Sequence, residues 1–91
     1  MRAPNKFIKF IEDEINADEI IDWILEVSGD VENVSNIHIA DKPTGDCLGD
    51  NEFCNQVEHG CENGVYAYSG TYYHKFEDSN LWLAYEYYTD V

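Results

Sequence analysis

Basic residues are scarce in this chain. Lys and Arg number 5 in 91 residues, against 19 Asp and Glu, for a net charge of −14 with neutral His. A protein that grips DNA, RNA or an anionic membrane directly needs a positive footprint, so none of these is expected as the main activity. No apolar run approaches the roughly 18 residues of a membrane span. The start, Met1 to Lys9, lacks the unbroken apolar segment of a secretory leader. The expected compartment is therefore the cytoplasm. Three Cys, an odd number, fit no closed disulfide framework and suit reduced thiols. Enzyme signatures are missing as well: there is no G-x-S-x-G, P-loop, G-x-G-x-x-G or H-E-x-x-H. Cys61 with His74 can be drawn as a nucleophile and base, but three Cys and three His permit such a drawing in any chain. No enzyme activity is expected and no catalytic residue is assigned.

What is present is a folding core. Apolar residues make up 44% of the chain, with 2 Trp, 7 Tyr and 4 Phe, which excludes a disordered acidic tail. The length predicts a single domain over residues 1–91. A domain this small buries only about 60–65% of its unfolded surface, so the self-repulsion of the acids is a real cost. The surplus charge is therefore a solubility device or a functional surface. It is unevenly spread: +3 over residues 1–9, −10 over 10–41, −3 over 42–75 and −4 over 76–91.

Residues 5–15 read as a first helix, with Phe7, Ile8, Ile11 and Ile15 on one face. Asn16-Ala17-Asp18-Glu19 resembles a capping box, so a second helix is predicted from Ala17 to Ser28. Its buried stripe is Ile20, Ile21, Ile24 and Val27, with Trp23 at the edge, and Gly29 is the expected stop. One continuous kinked helix over 5–28 is the alternative. A strand follows at about 33–40, where Ile37-His38-Ile39 alternates. Residues 41–64 read as a long loop, broken by Pro43, Gly45, Gly49, Gly60 and Gly64. Val65–Phe76 and Leu81–Thr89 are strands joined by a turn at Glu77-Asp78-Ser79-Asn80, with Ser69-Gly70 as a bulge or turn. The expected fold is α+β: a helical part over 1–29, then two helices on one face of a three- to four-stranded antiparallel sheet, with a Cys-containing loop at 41–64.

The acidic block is the first candidate surface. On a continuous helix Glu12, Glu19 and Glu26 fall within about 40° of one another, and Asp22 lies about 60° away. Within the second helix Glu19, Asp22 and Glu26 place three charges over about 10.5 Å of axis. That resembles the axial charge density of one DNA strand, about one per 3.4 Å. Such a face suits a basic groove built for phosphates, with binding that weakens in salt. The plain alternative is a solvated helix face. Asp30 supports the same block.

The tyrosines are the second candidate. Strand alternation puts Tyr85 and Tyr87 on one side with Leu81 and Leu83, and Tyr88 on the other with Trp82 and Glu86. Trp82, Tyr85, Glu86, Tyr87 and Tyr88 are therefore expected partner contacts, against ordinary cross-strand packing as the plain reading. The third is Cys47, Cys54, His59 and Cys61. Four soft ligands in 15 residues can bind zinc, but they lack the usual C-x2-4-C knuckle, so reduced thiols and a surface His are preferred. No cofactor is expected.

In size, charge and the acidic block from Glu12 to Glu32, the chain resembles small phage anti-defence proteins, the DNA-mimic inhibitors of restriction enzymes and of CRISPR-Cas complexes. These share no motif, so no functional residue transfers. The resemblance implies a non-enzymatic inhibitor seated in the nucleic-acid site of a host nuclease or CRISPR-Cas effector. Two rival readings remain at this stage: an immunity protein against a nuclease toxin, and a zinc-stabilised adaptor module. The basic start, Arg2 to Lys9, is expected to face away from a basic partner. An exposed aromatic strand edge allows a homodimer.

Overall fold

The helical stripes form two separate helices in the computed structural model, α1 (Lys6–Glu12) and α2 (Ala17–Ser28). The structure describes residues 2–28, 31, 33–49, 51–62 and 65–90, and of 60–62, 65–66 and 89–90 the main chain alone. Gly29 therefore lies outside the described residues. α2 has the bounds its pattern predicts. α1 is shorter than expected, because the chain closes it with a Schellman turn. Ile15 N–H donates to the Phe10 carbonyl at 2.9 Å, and Glu14 N–H to that of Ile11 at 3.3 Å. Glu14 takes the left-handed position of that turn at φ 55°. Ile15 thus falls beyond the helix and is 46% exposed rather than part of its buried stripe. Asn16 is also left-handed, at φ 53°. Its main-chain carbonyl, not its side chain, receives the Glu19 N–H at 3.0 Å, so the expected capping box does not form.

A left-handed Glu is strained where Gly is not. Glu14→Gly should raise stability by about 1 kcal/mol, read as a higher urea midpoint at unchanged slope.

The remaining chain forms five strands: β1 (Ser35–Ala40), β2 (Asp46–Gly49), β3 (Glu52–Glu62), β4 (Val65–Lys75) and β5 (Trp82–Asp90). They make one antiparallel sheet in the order β1-β5-β4-β3-β2. The α+β class is as expected, but the strand count is not. The segment read as a loop over 41–64 holds β2 and the 11-residue β3. Its Asn, Glu and Gly content argues against a strand locally. Pairing along most of β4 overrides that propensity. Gly45 is a true turn residue, at φ 88°, where a Cβ would strike the main chain of Cys54 and Asn55.

Gly70 is neither a turn nor a bulge. It sits in register between Gln56 on β3 and Tyr87 on β5. The irregularities fall elsewhere, between Glu58 and Cys61 in β3, between Ser35 and His38 in β1 and between Cys47 and Gly49 in β2. Gly70 is required because a Cβ there would run into the main chain of Asn55 and Gln56. Gly70→Ala should cost about 1–3 kcal/mol by overpacking, seen as a lower urea midpoint.

Both helices lie on one face of the sheet. Phe7 of α1, Ile20 and Ile24 of α2, and Cys54, Phe76, Leu83, Tyr85 and Tyr87 form the core between the layers. Fully burying each large apolar side chain contributes about 1.5–3 kcal/mol. The opposite face carries a second, smaller cluster of Tyr73, Trp82 and Ala84, backed by Ala40 and Phe53. The β5 alternation is as read, with Leu83, Tyr85 and Tyr87 inward and Trp82, Glu86 and Tyr88 on the other side. The turn at 77–80 also forms, with Phe76 N–H bonded to Leu81 O at 3.1 Å. The N-terminal segment is stitched to it through a parallel bridge from Ala3 to Phe76. Among the described residues, no helix is long and apolar enough to cross a membrane.

β3 and β4, at 11 residues each, run about 37 Å at 3.4 Å per residue. The 12 residues of α2 span only about 18 Å. The helices therefore leave part of the sheet's inner face uncovered.

Candidate partner-binding surface

The period that buries Ile20 and Ile24 turns Glu19, Asp22 and Glu26 outward. The three acids flank a hollow of about 250 Å³ completed by Pro4, Lys6, Phe7 and Trp23. Lys6 Nζ lies 2.8 Å from Glu19 Oε1, with both side chains about half exposed. Such a pair contributes at most about 1 kcal/mol to stability, but it removes charge from this edge. Arg2 bonds Asn51 Oδ1 and the Glu77 carbonyl, each at 3.2 Å, and Lys9 pairs with Asp13 at 3.1 Å. The basic start therefore folds back onto the protein, with Lys6 on the acidic edge itself, instead of facing away from it. Glu12 is exposed but belongs to α1, and the turn at 13–16 takes it off the ladder drawn for a continuous helix. Asp30 lies outside the described residues.

The aromatic contacts need correction. Tyr85 is 0% exposed, Tyr87 5% and Trp82 9%. The two tyrosines fill the helix-side core and Trp82 the second cluster, where it meets the Phe53 ring edge-on at 5.4 Å. No partner can reach Tyr85 or Trp82 without opening the fold, and Tyr87 meets the surface only by the small part that lines a concavity on the inner face. Of the expected contacts in β5, Tyr88, 40% exposed, and Glu86 are the ones exposed on the helix-free face.

His74 is wholly buried. Its Nε2 lies 3.0 Å from the Tyr85 hydroxyl, which lies 2.9 Å from Ser28 Oγ. Its Nδ1 has no hydrogen-bond partner among the described residues, and Glu52 Oε1 lies 3.7 Å from it. The tautomer that suits both ends carries its proton on Nδ1, toward the carboxylate, and accepts from Tyr85 at Nε2. The ring stacks on Tyr72 at 4.7 Å and meets the edge of Trp23 at 5.0 Å. Burial pulls its pKa down to about 4, against the raising influence of Glu52. His74 is thus a neutral core residue at pH 7. Cys61 stands opposite Tyr66 on β4, eight positions from His74, roughly 27 Å along a strand. The nucleophile–base pair is not assembled.

No family model, curated protein or solved structure matches this chain.

The four zinc candidates are likewise not gathered. Cys54 faces the core, its thiol 3.1 Å from the Tyr87 hydroxyl. Cys47 is paired with Phe53, so alternation points it to the opposite face. His59 lies on that face too, against Ser69 and the Tyr88 ring. The Cys61 side chain is outside the described residues. Among the described residues no three His, Cys, Asp or Glu side chains converge as a metal site.

One feature escaped the sequence pattern. Where the sheet outruns α2, a concavity of about 580 Å³ opens on its inner face. Tyr68, Tyr72 and Tyr87 supply its rings, and Gln56, Asp46 and Glu58 its polar groups. Tyr68 and Tyr72 flank Gly70 on β4, and Gln56 and Tyr87 are its register partners. Only the β3–β4–β5 register brings these residues together, and β3 had no strand signal of its own.

Proposed function

We propose that this chain is a non-enzymatic acidic inhibitor. It occupies the basic nucleic-acid-binding site of a host nuclease or CRISPR-Cas effector, with carboxylates in place of backbone phosphates. The observation that carries this reading is the outer edge of α2. There Glu19, Asp22 and Glu26 are exposed on a helix anchored by its buried stripe, in a chain of net charge −14. A fixed row of like charges steers a basic partner and costs little to reorganise on contact. Asp22 and Glu26 carry the contact, since Lys6 already engages Glu19. Glu86 and Tyr88 offer a second, weaker contact on the far face.

The test is capture from host lysate on the immobilised chain, with stepwise salt elution and mass spectrometry. The captured protein is then purified and bound to labelled duplex DNA or RNA. The expected result is a salt-released nucleic-acid-binding protein whose labelled ligand is displaced by this chain. A salt-resistant partner with no nucleic-acid site, or no displacement, refutes the reading.

A further inference from the structure

The inner-face concavity has a chemistry of its own, set by three features of the sheet. Gly70 leaves a gap in the row between Gln56 and Tyr87. The Tyr87 side chain crosses that gap, and its hydroxyl donates to Gln56 Oε1 at 2.9 Å. Tyr68 and Tyr72, two positions to either side, rise as walls. The Tyr72 and Tyr87 rings form a corner, with centroids 6.3 Å apart and planes at 60°.

The hydroxyl protons are already committed. Tyr87 donates to Gln56, and Tyr72 donates to Glu52 Oε2 at 3.3 Å. With its one proton spent, the Tyr87 oxygen can only accept from the Cys54 thiol 3.1 Å away. Burial pushes the Tyr72 hydroxyl up to about 12, and Tyr87 is raised as well, by burial and then by Cys54. Both are neutral phenols at pH 7. Tyr68 and Tyr72, each partly exposed, supply the electron-rich ring faces, and Tyr87, 5% exposed, closes the floor between them. Asp46 and Glu58, both exposed, add carboxylates, and the described lining holds no Lys or Arg.

An acceptor-rich aromatic corner with two acids fits a flat cation with many donors. A guanidinium stacks on rings and forks onto a carboxylate, whereas an ammonium is a compact, strongly hydrated charge. We propose that this concavity is the docking site for an arginine side chain of the basic protein partner. The proposal deepens the inhibitor reading and rests on it for the identity of the donor. The acidic edge of α2 supplies long-range attraction, and the concavity supplies a specific anchor of the kind that dominates interface energies.

The test needs only the isolated chain. An acetylated, amidated glycine–arginine–glycine peptide is titrated at constant ionic strength and followed by NMR of the tyrosine rings and main chain. Peptides with lysine or with neutral citrulline in place of arginine serve as comparisons. The expected result is saturable shifts centred on Tyr68, Tyr72, Tyr87 and Glu58. Arginine should bind about threefold or more tighter than lysine, and about tenfold or more tighter than citrulline. Glu58→Gln and Tyr68→Leu should each weaken arginine binding by about threefold or more. Glu58 is exposed, so its replacement keeps the test valid if the Tyr68 variant unfolds. No saturable shift, an equal response to citrulline, or shifts confined to Glu19–Glu26 would overturn the proposal. Because no partner is present, a negative titration leaves the salt-sensitive capture of a nucleic-acid-binding protein standing. A failed capture with a positive titration would leave the arginine site standing and remove the mimicry.

Discussion

Asp22→Lys with Glu26→Lys should weaken capture of the basic partner by about a hundredfold, while the fold survives. Loss or reversal of a close charge pair across an interface costs about 1.4 kcal/mol or more, tenfold each. Both side chains are exposed, so each substitution should change stability by no more than about 0.5 kcal/mol. Glu19 is a poorer choice for reversal, because a Lys there would face Lys6, which now lies 2.8 Å from its carboxylate. The informative change at that end is Lys6→Ala. It frees Glu19 and should tighten binding modestly. The measurement is affinity against salt for each variant, beside a urea melt. Wild-type affinity in a folded double variant would move the contact off α2. Glu86 and Tyr88 would then be the next surface to change.

Stability should fall as the pH drops from 6.5 to 4, and His74 should account for about 3 kcal/mol of the fall. The folded pKa of His74 is about 4, below its ordinary 6.5. As the pH falls, the unfolded chain therefore binds the proton first. The stabilisation is complete above pH 6.5 and is lost between 6.5 and about 4, at roughly 1.4 kcal/mol per pH unit. That loss is a large part of the roughly 5–10 kcal/mol expected of a domain this size. Protonation of the many carboxylates acts in the same pH range by relieving repulsion, so the effect is read as a difference. His74→Phe keeps a ring beside Tyr72 and Trp23 but cannot titrate. The stability of the wild type minus that of the variant should drop by about 3 kcal/mol between pH 7 and pH 4. A flat difference would mean that the imidazole takes up its proton without leaving the folded state.

Much of the fold was legible because it follows local periods. The pattern from Asn16 to Gly29 placed α2 at Ala17–Ser28, and of its expected stripe Ile20 and Ile24 are buried while Ile21 and Val27 are half-buried. The alternation from Leu81 to Tyr88 placed β5 and sorted its side chains correctly between two faces. What could not be read was β3. Glu52 to Glu62 is rich in residues that disfavour strands, and its pairing with β4 is a non-local event. The missed strand hid the concavity with it. The second error came from counting only one buried face. Trp82 was expected on open sheet, yet Tyr73, Ala84 and Phe53 bury it on the side without helices. The third was Glu12, which the turn with left-handed Glu14 and Asn16 removed from the α2 ladder.

The sequence by itself determined the net charge, the class of the fold and the buried positions Ile20 and Ile24 of α2. Net charge is a sum over residues, and helical and strand periods repeat within a few positions, so none of these needs the chain to be folded. Tertiary structure decided which groups are free to act. It set Lys6 against Glu19, buried Tyr85 and Tyr87, closed His74 off from water, and gathered Tyr68, Tyr72, Tyr87 and Glu58 around one hollow. Those outcomes depend on strand register and helix placement, where a shift of one residue exchanges the inner face for the outer.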